Sequence, residues 1–402
     1  MPLAKTIVLL LTLFSHLSWA EASLQQSSND MTDAGIRFSC QPEQLAHIES
    51  DMQHYFDSLG ISAAMVVKTL RKENGQLLYT LNTPANDTDT LGLKANAIWK
   101  IRNERVYLPK PHGKTRAVLT VAKKEIVLAL LQHGRLTEFK DGACDIQALK
   151  NNVGLRQNIV AWAENLNWIW PDGDRAQWHA KFWHRGTPNS GVPLHVAFND
   201  IFFNQSKYAI GCYTATKIVL VQAVLDYYRR IKPDPALLQL LENRLLADQE
   251  PLVDIEPGAM WEFEVDFEQT KLNRLGKLVK IERGIAARNF VPGDWVYLSN
   301  TDPITAQKLG YEGSNAIYLG RNKFDDYYND NHHAYTYQQK IDEVFQWRNG
   351  VFSRTRDAAK IQPLRAEDIE RLGEPPVAGG LVMDIRVSPY LFGYEALPQR
   401  KP

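Results

Sequence analysis

Apolar side chains recur at Leu45, Ile48, Met52, Tyr55 and Phe56, and Gly60 closes the run. That three-to-four spacing lines one face of a helix and predicts one over Pro42–Leu59. Alternating runs follow at Ala63–Thr69, Gln76–Leu81, Ala97–Ile101 and Arg105–Leu108, bounded by Asn, Gly and Asp, and predict short strands. Helical spacing returns over Val121–Leu131, stopped by Gly134, and over Ile146–Leu166. The pattern then breaks. Trp168, Trp170, Trp178 and Trp183 crowd among Pro171, Gly173, Gly186 and Pro188, the mark of an irregular, aromatic-rich segment.

Ala197–Phe203, a turn at Asn204, Gln205 and Ser206, and the run Tyr208–Cys212 lead into Tyr213–Arg230. There Ile218, Val219, Leu220, Val221, Val224 and Leu225 leave hardly a polar side, so this helix is expected to be buried. Strand-like runs come next at Trp261–Phe267, Leu278–Ala287, Asp294–Leu298 and Ala316–Gly320, then a helix over Ala334–Trp347 with Thr336 near its start. The tail offers a helix at Ala366–Leu372, a Pro-Pro turn and a strand at Leu381–Val387. One buried helix followed by antiparallel strands is an α+β arrangement rather than a repeating βαβ one.

At 402 residues the chain has length for two domains, or one large domain with an extension. Lys5, the apolar run Ile7–Phe14 and the small-residue end Ser18, Trp19, Ala20 read as a secretory signal peptide, with a mature start near Glu21 and a polar leader to Thr32. The apolar core is shorter than the roughly 20 residues of a spanning helix, and no later segment is long and apolar enough to span. The expected product is secreted or periplasmic, without a transmembrane segment after cleavage. Lys plus Arg equals Asp plus Glu at 46 each, so charge predicts no nucleic-acid footprint. The 10 tryptophans suit a rigid aromatic core or a groove for extended chains.

Cys40, Cys144 and Cys212 are an odd set for an oxidising compartment. The favoured arrangement joins Cys40 to Cys144 and leaves Cys212 as a thiol, because Cys212 has the most distinctive surroundings; three buried thiols are the alternative. His179 and His184 lie five apart with no third ligand nearby, so they read as packing or surface residues rather than a zinc site.

Cys212 follows Gly211 at the entry to the buried helix, where the helix dipole favours a thiolate. A cysteine nucleophile also needs a proton-handling partner and a group to orient it. Glu312 and Asn315 begin a strand, and His332 and His333 lie between that strand and the next helix. A Cys212–His333–Glu312 triad would meet the requirement. Read blandly, Glu312 is a solvated turn residue and the histidines belong to a polar loop, Asp325–His333.

The stretch Val192–Arg230, with Phe198-Asn199-Asp200-Ile201-Phe202 ahead of Cys212-Tyr213-Thr214-Ala215-Thr216, resembles bacterial protein-glutamine gamma-glutamyltransferases of the spore-coat type. Pro292-Gly293-Asp294-Trp295-Val296-Tyr297 and Gly313-Ser314-Asn315-Ala316-Ile317-Tyr318-Leu319-Gly320 look like that family's two central strands, and like those of NlpC-type cell-wall peptidases. The resemblance covers about residues 180–350. It implies a papain-like (NlpC-like) fold, with the cysteine on a helix and its partners on the following sheet. In the family an acid directly precedes the strand asparagine and another precedes the cysteine; here Ser314 and Gly211 stand there. Glu312, His332 and His333 are the replacements, with Cys212, Glu312 and His333 as the expected catalytic set.

The organisation expected is a signal peptide at 1–20, an N-terminal α+β region at 21–165, a papain-like transglutaminase-like domain at 166–353 and a structural extension at 354–402. The activity implied is attack of Cys212 on a glutamine carboxamide and transfer of the acyl group to a lysine amine or to water. No cofactor and no metal is called for. The partner is a protein or peptide bearing glutamine, or a cell-wall peptide if the thiol serves an NlpC-type amidase; a non-catalytic binding module is the third alternative.

Overall fold

A computed structural model describes residues 34–167, 176–184, 186–247, 280–308, 310–325, 334–352 and 357–387. In chain order the elements are β1 (Gly35–Ser39), α1 (Pro42–Ser58), β2 (Val66–Arg71), β3 (Gln76–Leu81), β4 (Glu104–Pro109), β5 (Thr115–Thr120), α2 (Lys123–Leu130), β6 (Leu136–Lys140), α3 (Ile146–Ala163), β7 (Trp183–His184), β8 (Thr187–Pro188), α4 (Leu194–Phe203), α5 (Cys212–Asp226), α6 (Pro235–Ala247), β9 (Lys280–Arg283), β10 (Trp295–Ser299), β11 (Gly313–Gly320), β12 (Lys323–Asp325), β13 (Ala334–Thr336), α7 (Tyr337–Arg348), α8 (Ala366–Leu372) and β14 (Val382–Val387). The fold is α+β. Among the described residues a four-stranded sheet runs β2-β3-β1-β6 and a six-stranded one β13-β12-β11-β10-β14-β9 with every neighbouring pair antiparallel, while β4-β5 and β7-β8 form separate two-stranded pairs.

Every residue of α5 is buried, as its lack of a polar face demands. The helix lies between α3 and β11. Asn158 on α3 donates to the Ala223 carbonyl at 2.7 Å, and Trp162 Nε1 donates to Asp226 Oδ2 at 3.1 Å. Gly154 is required on α3, since a Cβ there would stand 2.8 Å from the Tyr227 ring. Beyond Asp226 the helix widens into a π turn, Tyr227–Ile231.

A buried ion triad ties the first half of the chain to β10. Arg135 reaches Asp294 at 2.5 Å and Arg156 reaches it at 2.9 Å, and the carboxylate also accepts the Val291 N–H at 2.8 Å. Burial pushes the Asp294 carboxyl up, but the two guanidinium groups and these hydrogen bonds outweigh it and hold the group below the ordinary carboxylate range. A second tie sits at the two-residue turn Arg321–Asn322, with φ of 58° and 55°, which closes the β11–β12 hairpin. The Arg321 N–H donates to Glu125 at 2.5 Å, and its guanidinium pairs with Glu164 at 2.5 Å.

Several elements differ from the sequence reading. Ala97–Ile101 is not a strand: Ala97–Trp99 forms a 3-10 turn because the Asn96 side chain accepts the Ile98 N–H at 3.1 Å, a local bond that replaces a ladder. The helix expected from Ala334 starts at Tyr337. Thr336 Oγ1 accepts the Gln339 N–H at 3.2 Å while Gln339 accepts the Thr336 N–H at 2.8 Å, a capping box that frees Ala334–Thr336 to pair with β12. Ala63–Met65 is also a 3-10 turn, and β2 begins only at Val66. The strands β1, β5 and β6 and the helices α4 and α6 were absent from the pattern. Cys40 and Cys144 form the expected disulfide, with Cα atoms 5.7 Å apart. The leader, Trp168, Trp170, the Trp261–Phe267 run and the Asp326–His333 loop lie outside the described residues. Among the described residues no helix is long and apolar enough to cross a membrane.

Candidate active site

Gly211 is the N-cap of α5 in extended backbone, φ −70° and ψ 161°, and brings no side chain to the helix end. Cys212 therefore occupies the first helical position, carries a thiol and is only 7% exposed. The first-turn amides and the dipole of a 15-residue helix act on the sulfur from below.

β11 delivers Asn315 to it. Asn315 Nδ2 stands 3.6 Å from Cys212 Sγ, while its Oδ1 accepts a 2.9 Å bond from the Trp295 indole N–H on β10. The pairing explains the meeting. Asn315 lies opposite Tyr297 and Trp295 opposite Ile317, so Trp295, Tyr297 and Asn315 share the sheet face that α5 covers. The Tyr213 ring packs edge-on against Trp295 with centroids 5.1 Å apart, and the buried Lys217 ammonium sits 4.0 Å from the Tyr213 centroid. Gly313 keeps the two strands close, because a Cβ there would stand 2.5 Å from Tyr297 Oη and 2.6 Å from the Leu298 carbonyl oxygen.

The other expected residues lie as follows. Glu312 stands just ahead of β11, and its Oε1 accepts the Gly310 N–H at 3.2 Å; strand alternation gives it the parity of Ser314, not of Asn315. Ser314 is fully buried, and its hydroxyl has no hydrogen-bond partner among the described residues. His332 and His333 lie outside the described residues. His179 is a packing residue: its Nδ1 meets Asp200 at 2.7 Å, and the same carboxylate accepts Tyr208 Oη at 2.6 Å and Asn204 Nδ2 at 2.6 Å. Burial and the Asp200 contact raise the Tyr208 phenol far above its ordinary range, so it donates to the carboxylate throughout the physiological range. This knot fixes α4 to the run that enters Cys212. Among the described residues no group of three or more His, Cys, Asp and Glu is placed to hold a metal.

The Asn315–Trp295 pair escaped the sequence reading although both residues stand in the two strand motifs it singled out. Their shared face depends on the register between β10 and β11, which neither motif carries alone.

A thiol on the first turn of a buried helix, packed on an antiparallel sheet that supplies its polar neighbour, is the arrangement expected of a papain-like cysteine domain. The family model for protein-glutamine gamma-glutamyltransferase matches residues 108–356, more than half of the chain, and the chain belongs to that family of acyltransferases. Curated protein-glutamine gamma-glutamyltransferases of Bacillus cereus (strain AH820) and Bacillus anthracis are each 26% identical over 182 residues, 43% of this chain and 54% of theirs. The chain thus spans about half the length of the curated relatives it matches. A solved transglutaminase from Geobacillus stearothermophilus (without C-terminal extension) superposes with a TM-score of 0.37 at 19% identity, over 64% of this chain and 100% of that one.

Proposed function

We propose that the protein is an exported thiol acyltransferase acting on glutamine side chains. The observation that supports this most is Asn315 Nδ2 beside Cys212 Sγ at the start of α5, two sources of positive potential directed at one sulfur. The thiolate attacks the carboxamide carbon, the S–C bond forms, the C–N bond breaks, and ammonia leaves with an added proton. A lysine amine then attacks the thioester, releasing the thiolate and leaving an isopeptide bond; water in its place leaves glutamate. First-turn N–H groups are suited to the oxyanion. We assign the proton shuttle to His333 and its orientation to Glu312, on their order in the chain. The leader pattern at residues 1–20 and the Cys40–Cys144 disulfide both favour an oxidising compartment outside the cytoplasm.

The test is incorporation of a labelled primary amine into a glutamine-bearing protein such as casein. Incorporation that disappears in Cys212→Ala is the expected result. Ammonia release with no incorporation would replace transfer by hydrolysis, and cleavage of cell-wall peptides instead would make it an NlpC-type amidase. A Cys212 that resists a small thiol probe at neutral pH would leave only a binding role.

A further inference from the structure

At the opposite end of α5 from the thiol, about 20 Å away at 1.5 Å per residue, lies an open cleft of about 490 Å³ between α3, the start of α2 and the π turn. Its lining includes Lys123, Lys150, Arg230 and Lys232, and its walls include the exposed Tyr107 and Ile231. Among the described residues, Arg230 alone of these has a carboxylate partner: Asp226 takes its Nε at 2.9 Å and its Nη2 at 2.6 Å. Lys232 Nζ donates to the Asn151 side-chain Oδ1 at 3.0 Å, and Lys150 Nζ lies 5.4 Å from the Tyr55 ring centroid. Among the described residues no carboxylate pairs with Lys123, Lys150 or Lys232. Glu104 accepts the Lys123 backbone N–H at 2.9 Å and Gln157 Nε2 at 2.8 Å.

Cations past the C-terminus of α5 offset its negative dipole end, which accounts for Arg230 and Lys232. It does not account for the others. Lys123 opens α2, where the dipole is positive and a cation is unfavourable, and Lys150 lies inside α3. Three lysines without carboxylate partners among the described residues line a concave, aromatic-walled space of ligand size, an arrangement that an anion relieves.

We propose that this cleft binds a small organic phosphate monoester. Its dianionic head has the charge and the three acceptor oxygens for the lysines, and its apolar body has Tyr107 and Ile231 to rest on. The site is independent of the thiol chemistry.

The test is calorimetric titration of the full chain with phenyl phosphate at low ionic strength, with inorganic phosphate and phenol as controls. The expected result is saturable binding of phenyl phosphate, weaker binding of inorganic phosphate, none of phenol, and at least a tenfold loss of affinity in Lys150→Met/Lys232→Met with the Cys212 alkylation rate unchanged. On the unaltered protein, raising sodium chloride tenfold should weaken binding several-fold. Absence of saturation, insensitivity to salt, or a double variant that folds and binds as the parent does overturns the proposal.

Discussion

Replacing Asn315 by alanine should make the Cys212 thiol harder to ionise. Trp295 Nε1 can only donate, so Asn315 Oδ1 must face it and Nδ2 must face the sulfur 3.6 Å away. The amide is thereby locked as a donor, and a donor stabilises the thiolate more than the thiol. Hydrogen bonds to charged groups contribute about 1.5–3 kcal/mol. With 1.36 kcal/mol per pH unit, loss of this one moves the ionisation midpoint up by roughly one to two pH units. Asn315→Asp keeps the Trp295 bond but sets a carboxylate against the sulfur, so its midpoint should lie higher still. Trp295→Phe keeps an aromatic ring against Tyr213 and unlocks the amide, so its shift should be smaller than that of Asn315→Ala. The assay is the pH dependence of iodoacetamide alkylation of the Cys212 peptide, followed by mass spectrometry. A midpoint in Asn315→Ala within about 0.3 pH unit of the parent, or a lower one in Asn315→Asp, would refute the argument.

Two further predictions concern the frame. Burial pushes Glu125 up from 4.5 to about 6, against the pull of the Arg321 N–H and guanidinium. The folded state therefore holds a proton that the unfolded state has released between those values. Stability should fall as pH rises from 4.5 to 6 and level off above. Glu125→Gln, which can still accept the Arg321 N–H, should flatten that slope and gain up to about 2 kcal/mol at pH 7.5 in urea denaturation; a less stable variant at that pH would sink the reading. The Cys40–Cys144 bridge closes a loop with a sequence separation of 104, so Cys40→Ser/Cys144→Ser in a Cys212→Ala background should lose about 4–5 kcal/mol. A loss below about 1 kcal/mol would mean that the unfolded chain gains little freedom when the bridge is cut.

What was legible in the sequence was local. Gln76–Leu81 is a strand and Ala366–Leu372 a helix with the boundaries read from their patterns, and the run after Cys212 announced its burial by having no polar side. Pairing was not legible. Nothing in the Leu381–Val387 run says that it enters the large sheet between β10 and β9, roughly eighty residues from the first and a hundred from the second, yet it does. β1 and β6 are five-residue strands lying parallel to each other, and neither carries enough alternation to be seen alone. The site shares this limit. Cys212 stood out through its own neighbours, whereas Asn315 and Trp295 matter only through a register that two strands fix together.

Of the two departures from the family pattern, the one at Gly211 bears directly on the sulfur. An acid ahead of Cys212 would set negative charge at the helix end that favours the thiolate; Gly211, whose φ of −70° any residue could adopt, sets none there. An acid at position 314 would have to ionise where Ser314 is fully buried, and burial would push it toward its neutral form. The residue that does reach the sulfur from β11 is an uncharged donor. The absence of an anion at position 211 and the presence of one amide donor both favour the thiolate. Nucleophile activation in this chain thus leans on the helix dipole and the Asn315–Trp295 pair more than on a neighbouring carboxylate, which is why the Asn315→Asp variant, restoring an acid within reach of the sulfur, is the sharpest probe of it.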